Sequence, residues 1–168
     1  MQKDFDKWNE IKKETDKQIL PKEFFCYERE IWWCSLGVNI GIETDGKNDK
    51  YERPVIIVKV FNKEMIWILP ITYIMRNKYF CHNFVFDGMD QSVVITQIKT
   101  ISAKRLIRKI GSISEQDFEI VLSKLIKIIK TKPPFGGISE AEATNMASVS
   151  NEDVLSTKGV NKINKEQK

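Results

Sequence analysis

Two near-continuous apolar runs, VIIVKVF (55–61) and EMIWILPIT (64–72), stand mid-chain with only Asn62-Lys63 between them. β-Branched residues dominate both, and so short a connection suggests a hairpin, although it lacks the glycine of the strongest turn signals. Other β-prone segments flank it: REIWWCSL (29–36) before, KYFCHNFVF (78–86) and QSVVITQIKTI (91–101) after, the last two separated by the turn Asp87-Gly88. Five short strands with tight turns predict a small curled β-barrel more readily than a parallel sheet.

Helical patterns surround this β-rich middle. Phe5, Trp8, Ile11, Thr15 and Ile19 recur at helical spacing in a charge-rich N-terminal stretch (1–22), which suggests an amphipathic helix ended by Pro21 and packed on the domain. Ser102 reads as the start of a short helical segment, AKRLIRKIG, that Gly111 can stop. Ser114 is a good N-cap with Asp117 three residues on. Phe118, Val121, Leu122, Leu125, Ile128 and Ile129 then mark one face of the clearest helix, expected against the barrel or across a dimer seam. Pro133-Pro134 closes the domain. The tail (132–168) is rich in Ser, Asn, Lys and Glu, too poor in large apolar groups to offset ordering, and is expected to be disordered. The expected organisation is an N-terminal helical extension (1–22), a barrel domain (24–131) and a polar tail (132–168).

Several function classes drop out. No apolar run is long enough to span a bilayer and the first thirty residues are charged throughout, so the expected location is the cytoplasm. Cys26, Cys34 and Cys81 have spacings that suit neither a zinc knuckle nor a redox pair, and read as buried small hydrophobes. The single histidine, His82, lies in an apolar run and reads as a packed structural residue; with no His/Cys cluster, no protein-held metal or other cofactor is expected. P-loop, GxGxxG and HExxH signatures are absent, so any catalysis has to use carboxylate, guanidinium and hydroxyl groups.

Such groups converge in two places. Arg53 opens the first apolar run directly after the polar, glycine-containing loop IGIETDGKNDKYE, which is expected to be exposed and mobile and to deliver Glu43 and Asp45 nearby. Hairpin pairing would return Thr72 beside Arg53, although by spacing alone Glu43 and Arg53 read as a surface ion pair. The second place is an acid-free basic run holding Lys99, Lys104, Arg105, Arg108 and Lys109, preceded by Thr96 and Gln97. Such a run is usually a solvated face, but its cations can also attract a polyanion and grip phosphate oxygens. Tyr51, Tyr73 and Tyr79 could stack bases of a single strand.

In order and content, REIWWCSLGVNIGIETDGK, ERPVIIVKVFN, ILPIT and SVVITQIKTISAKRLIRKIGSIS resemble the MazF/PemK toxins of type II toxin–antitoxin systems, over about residues 28–130. The resemblance implies an SH3-like β-barrel with a C-terminal helix, usually a homodimer masked by a cognate antitoxin. It also implies a metal-independent endoribonuclease that cuts single-stranded mRNA through the substrate's own 2′-OH, leaving 2′,3′-cyclic phosphate and 5′-OH ends. By position, Arg53 matches the arginine of the family's Arg-Pro motif, which acts as acid and phosphorane stabiliser. Thr72 matches the threonine that binds the scissile phosphate. Glu43 matches the glutamate of a Gly-Ser-Glu-Gln loop and could be the base, with Asp45 in reserve. Gln97 matches the glutamine before the Ile-Arg-Thr segment, where Lys99 replaces the arginine. Here Ile42, Thr44 and Thr96 stand where the family carries serine, glutamine and an acidic residue. The N-terminal helix lies outside the common pattern. A second reading keeps the barrel without catalysis, as an RNA-binding module or a CcdB-like inhibitor of a protein target.

Overall fold

The computed structural model describes residues 3–131. Residues 3–39 and 43–130 form one compact body, and Ile40–Ile42 make a short turn with Gly41 at φ 56°. In chain order the elements are α1 (Phe5–Lys17), β1 (Glu30–Ser35), β2 (Glu52–Val60), β3 (Met65–Thr72), β4 (Cys81–Phe86), β5 (Met89–Val94), β6 (Lys99–Ser102), β7 (Leu106–Ser112) and α2 (Glu115–Lys130). The expectations for the polar tail lie outside the described residues.

The strands form one curled antiparallel sheet in the order β4-β5-β3-β2-β1-β7, with β6 also paired to β3. The described residues are therefore mainly β with two α-helices. β3 belongs to both halves of the curl: Met65–Ile68 pair with β6, while Ile71 and Thr72 pair with β5. Register shifts in the β1–β7 ladder, between Ile31 and Trp32 and between Trp33 and Cys34, add to the bend.

The β2–β3 hairpin forms as its sequence demands, and its two faces explain why it is apolar almost without interruption. Ile56, Val58, Leu69 and Ile71 face one cluster, completed by Phe118, Val121 and Leu125 of α2. Val55, Ile57, Ile66 and Ile68 face a second, with Cys34, Ile101, Ala103 and Leu106. A hairpin buried on both faces loses the alternation of a half-exposed strand. Each fully buried aliphatic side chain contributes roughly 1.5–3 kcal/mol.

Two expectations need correction. The segment after Ser102 is not a helix: Ala103–Arg105 make a single 3-10 turn, and Leu106–Ser112 run as β7 against β1. Leu106, Ile107 and Ile110 fit helical spacing, but pairing to the open edge of β1 satisfies the backbone there, and tertiary pairing overrides so short a local signal. QSVVITQIKTI is likewise not one strand; a 3-10 turn at Ile95–Gln97 divides β5 from β6, which lets the chain change partners along β3. Among the described residues the sheet has seven strands instead of five.

The helices follow their signals. Ser114 Oγ accepts from Asp117 N at 3.0 Å and donates to the Asp117 carboxylate at 2.6 Å, closing the cap of α2. His82 is buried, with Nε2 2.8 Å from Asp117 Oδ1, a packing role as expected. The N-terminal helix ends at Lys17, short of Pro21, and of its stripe only Trp8 is buried. Trp8 sits over Gly37, whose φ is +89° and where an added Cβ would lie 2.2 Å from the indole. The three cysteines are free and buried, and burial pushes the Cys34 thiol up to about 12.

Candidate functional site

The hairpin register sets the first part of the site. Val55 pairs with Pro70 and Ile56 with Leu69. Continued to the strand ends, this register brings Arg53 and Thr72 to the same edge of the sheet. Arg53 is nearly buried, at 9% exposure. Its Nε donates to Asp45 O at 2.6 Å and its Nη1 to Ile71 O at 3.2 Å. Backbone carbonyls thus fix the planar guanidinium beside the residue that precedes Thr72. Thr72 is also buried, and its Oγ1 accepts from Ile74 N at 3.4 Å.

The loop before β2, expected to be mobile, is pinned at several points. Gly46 N donates to Gly37 O at 2.7 Å, and Lys47 and Glu52 exchange backbone hydrogen bonds at 2.7 and 2.9 Å. A Cβ on Gly46 would lie 1.8 Å from Tyr51 O, so the turn accepts only glycine there. Asn39 holds the loop twice: its N donates to Asp45 Oδ1 at 2.6 Å, and its Nδ2 to Thr44 O at 2.8 Å. Lys3 closes on the other Asp45 oxygen at 2.9 Å. Asp45 therefore offers Arg53 its carbonyl, while its carboxylate is committed to Asn39 and Lys3.

Glu43 does not form the expected surface pair with Arg53: its carboxylate, half exposed, lies 3.1 Å from Lys99 Nζ. Beside it, Thr44 N donates to Gln97 Oε1 at 3.0 Å. Gln97 and Lys99 thus gather on Glu43 and Thr44, and Arg53 and Thr72 gather at the hairpin end. The three-residue stretch Glu43–Asp45 links the two groups. Sequence reasoning missed Asn39, because one side chain holding a loop from outside leaves no spacing signature.

The rest of the basic run is spread out. Lys104 Nζ donates to Asp16 O at 2.7 Å, and the Arg105 guanidinium lies 5.4 Å from the Trp8 ring centroid, both toward α1. Arg108 lies 4.9 Å from the Trp33 centroid and 3.6 Å from Glu52. Lys109 Nζ is 2.5 Å from Glu30 Oε1. Burial pushes the Glu30 carboxyl up, but hydrogen bonds from Lys109, Tyr27 N and Trp32, with the Lys109 charge, outweigh it and hold the group below its ordinary value. The run contains no acid, yet acids from distant positions meet three of its five cations.

Among the described residues no group of three or more His, Cys, Asp or Glu could hold a metal ion, and no helix is long and apolar enough to cross a membrane. The site offers a guanidinium, a hydroxyl, an amide, an ammonium and a carboxylate: groups able to bind a phosphodiester, stabilise added charge on it and exchange protons with it.

Solved structures share this architecture. MazF from Deinococcus radiodurans (Form-I) is similar at TM-score 0.56 and 14% identity, covering 65% of this chain and 100% of its own. The same organism's MazE-MazF (Form-II) gives TM-score 0.52 and 11% identity, over 66% of this chain and 100% of that one. An endoribonuclease in complex with its cognate antitoxin, from a mycobacterial species, gives TM-score 0.51 and 13% identity, again over 66% and 100%. At these identities the likeness concerns the fold. Among curated proteins none matches significantly. Residues 27–129 match the model of the PemK-like, MazF-like toxins of type II toxin–antitoxin systems, and the chain belongs to that family.

Proposed function

We propose that this toxin is a metal-independent endoribonuclease that cuts single-stranded mRNA by attack of the substrate's 2′-OH, leaving 2′,3′-cyclic phosphate and 5′-OH ends. The observation that carries the reading is the buried Arg53, fixed by the carbonyls of Asp45 and Ile71 at the strand end where Thr72 stands. A preorganised guanidinium costs no rearrangement when charge develops on a phosphorane. In the proposed reaction Glu43 takes the 2′-OH proton, O2′ attacks phosphorus, and the bond to O5′ breaks. Thr72 hydrogen-bonds the phosphate, and Arg53 stabilises the phosphorane and serves as acid for the departing O5′. Gln97, Lys99, Lys104 and Arg105 are the proposed RNA contacts; Arg108 and Lys109, expected in the same set from the sequence, are engaged instead with Trp33, Glu52 and Glu30. Asp45 is the poorer base, since Asn39 and Lys3 occupy its carboxylate.

The reading extends to a cytoplasmic homodimer with a cognate antitoxin, built on a toxin domain over 24–131 with 1–22 as an added helix. The test is cleavage of single-stranded RNA in EDTA by wild type and Arg53→Ala, with end-group analysis. Cyclic phosphate ends from wild type alone are expected; cleavage that survives Arg53→Ala removes the assigned site.

One observation favours a non-catalytic alternative, an RNA-binding or protein-inhibiting barrel: the candidate base Glu43 is paired with Lys99. RNA bound but left intact, or growth arrest with intact mRNA, would establish it.

A further inference from the structure

The N-terminal helix is an addition to the family domain, and it does not merely lie on the barrel. Between α1 and the β6 strand with its following 3-10 turn runs an open cleft of about 570 Å³, within the roughly 300–1,000 Å³ range of small-ligand pockets. Lys12 and Asp16 line it from α1; Lys99, Lys104 and Arg105 line it from the barrel. Four cations thus face one carboxylate. Among the described residues Arg105 and Lys12 have no ion-pair partner: Arg105 is half-buried with its guanidinium on the Trp8 ring, and Lys12 stands exposed. A half-buried guanidinium without an anion, opposed by an unpaired ammonium, is poised for a phosphate. Lys99 belongs both to this cleft and to the Glu43 pair, so the cleft adjoins the candidate site through that residue.

We infer that α1 and β6 together form a subsite for a backbone phosphate of the RNA flanking the scissile position, gripped by Lys12 and Arg105. This inference rests on the ribonuclease reading. It also accounts for the extension, since α1 supplies a cation and, through Trp8, the platform that orients Arg105. Single-stranded RNA is the occupant the site favours, because a chain entering from the candidate site places its next phosphates along the same strip of cations.

The test uses the full chain and a non-cleavable 2′-O-methyl oligonucleotide, with affinity measured across a salt series for wild type, Lys12→Glu and Lys12→Arg. Lys12 is exposed, so folding is not at stake, and melting curves check it. Loss of one phosphate contact should weaken Lys12→Glu about tenfold and flatten the log K–log salt slope by about one, with Lys12→Arg close to wild type. Equal affinity and slope for wild type and Lys12→Glu overturn the subsite. So does tighter binding by Lys12→Glu, or by Trp8→Ala, which would show that the helix shields Arg105. Cleavage of a 2′-OH substrate by wild type, lost in Arg53→Ala, separates the two levels. If it holds while Lys12→Glu binds normally, only the subsite fails; if wild type neither binds nor cleaves RNA, the ribonuclease reading fails with it.

Discussion

The hairpin end and the basic run make opposite uses of charge. At the hairpin end a single guanidinium, almost buried, is held by two backbone carbonyls, and its place follows from strand register. In the run, five cations crowded in sequence divide in space: Lys99, Lys104 and Arg105 line the cleft under α1, while Arg108 and Lys109 turn toward Trp33 and Glu30 of β1. A strand turns successive side chains to opposite faces, so density along a sequence does not become a single patch. Position within a paired register is the stronger pointer to chemistry.

The largest test of that contrast is Arg53. Arg53→Ala should lower single-turnover cleavage by about 10³-fold, the usual loss when a preorganised charge-stabilising group goes. It should also cost about 1–3 kcal/mol of stability, since Asp45 O and Ile71 O each lose a buried donor. Arg53→Lys, checked in the same assay, should recover no more than about tenfold, because an ammonium cannot serve both carbonyls and a phosphate in one plane.

Thr72→Val comes next. The swap keeps the shape and removes one hydroxyl whose part in the fold is a long 3.4 Å bond from Ile74 N. Cleavage should fall about 10–100-fold, one charge-assisted hydrogen bond to phosphate, while the melting temperature stays nearly unchanged. A large stability loss with normal cleavage would make Thr72 a structural residue and leave Arg53 alone at the hairpin end.

How much of this is legible in the sequence depends on range. The β2–β3 hairpin and the Ser114–Asp117 cap are local, and their residues announce them. Arg53 and Thr72 sit 19 positions apart, but one hairpin connects them, so counting along the strands is enough. Glu43 with Lys99 and Thr44 with Gln97 are separated by 56 and 53 positions. Spacing cannot show such pairs, and the Glu43–Arg53 surface pair that it suggests is not the one that forms. The helical reading of 103–111 fails for the same reason: the open edge of β1, which decides it, lies far away in sequence.

A smaller effect probes a member of the run as a structural residue. Lys109 neutralises the buried Glu30, whose carboxyl titrates below its ordinary value. A carboxylate depressed by folding contributes stability that is full above its unfolded pKa, about 4.3, and is lost as pH falls through the folded value. Urea titrations of wild type should therefore show stability declining below about pH 4. Lys109→Met should be about 1–2 kcal/mol less stable at neutral pH and lose less on acidification, because only the Tyr27 N and Trp32 bonds would still favour the charged Glu30. An unchanged acid profile would remove the pair from the stability balance.

The smallest effect is the sharpest for the comparison. Arg108 is stacked near Trp33 and meets Glu52, the neighbour of Arg53 in β2, whose side chain by strand alternation belongs to the opposite face. If charge acts only where register brings it to the site, Arg108→Ala should change RNA affinity by about twofold or less, the weak, distance-screened effect of one exposed cation. Lys99→Ala should cost about tenfold under the same salt, since Lys99 stands beside Glu43 and in the cleft under α1. Equal losses for the two variants would mean that RNA reaches around the sheet edge to β7. The basic run would then act as one surface after all, joined by the nucleic acid and not by the fold.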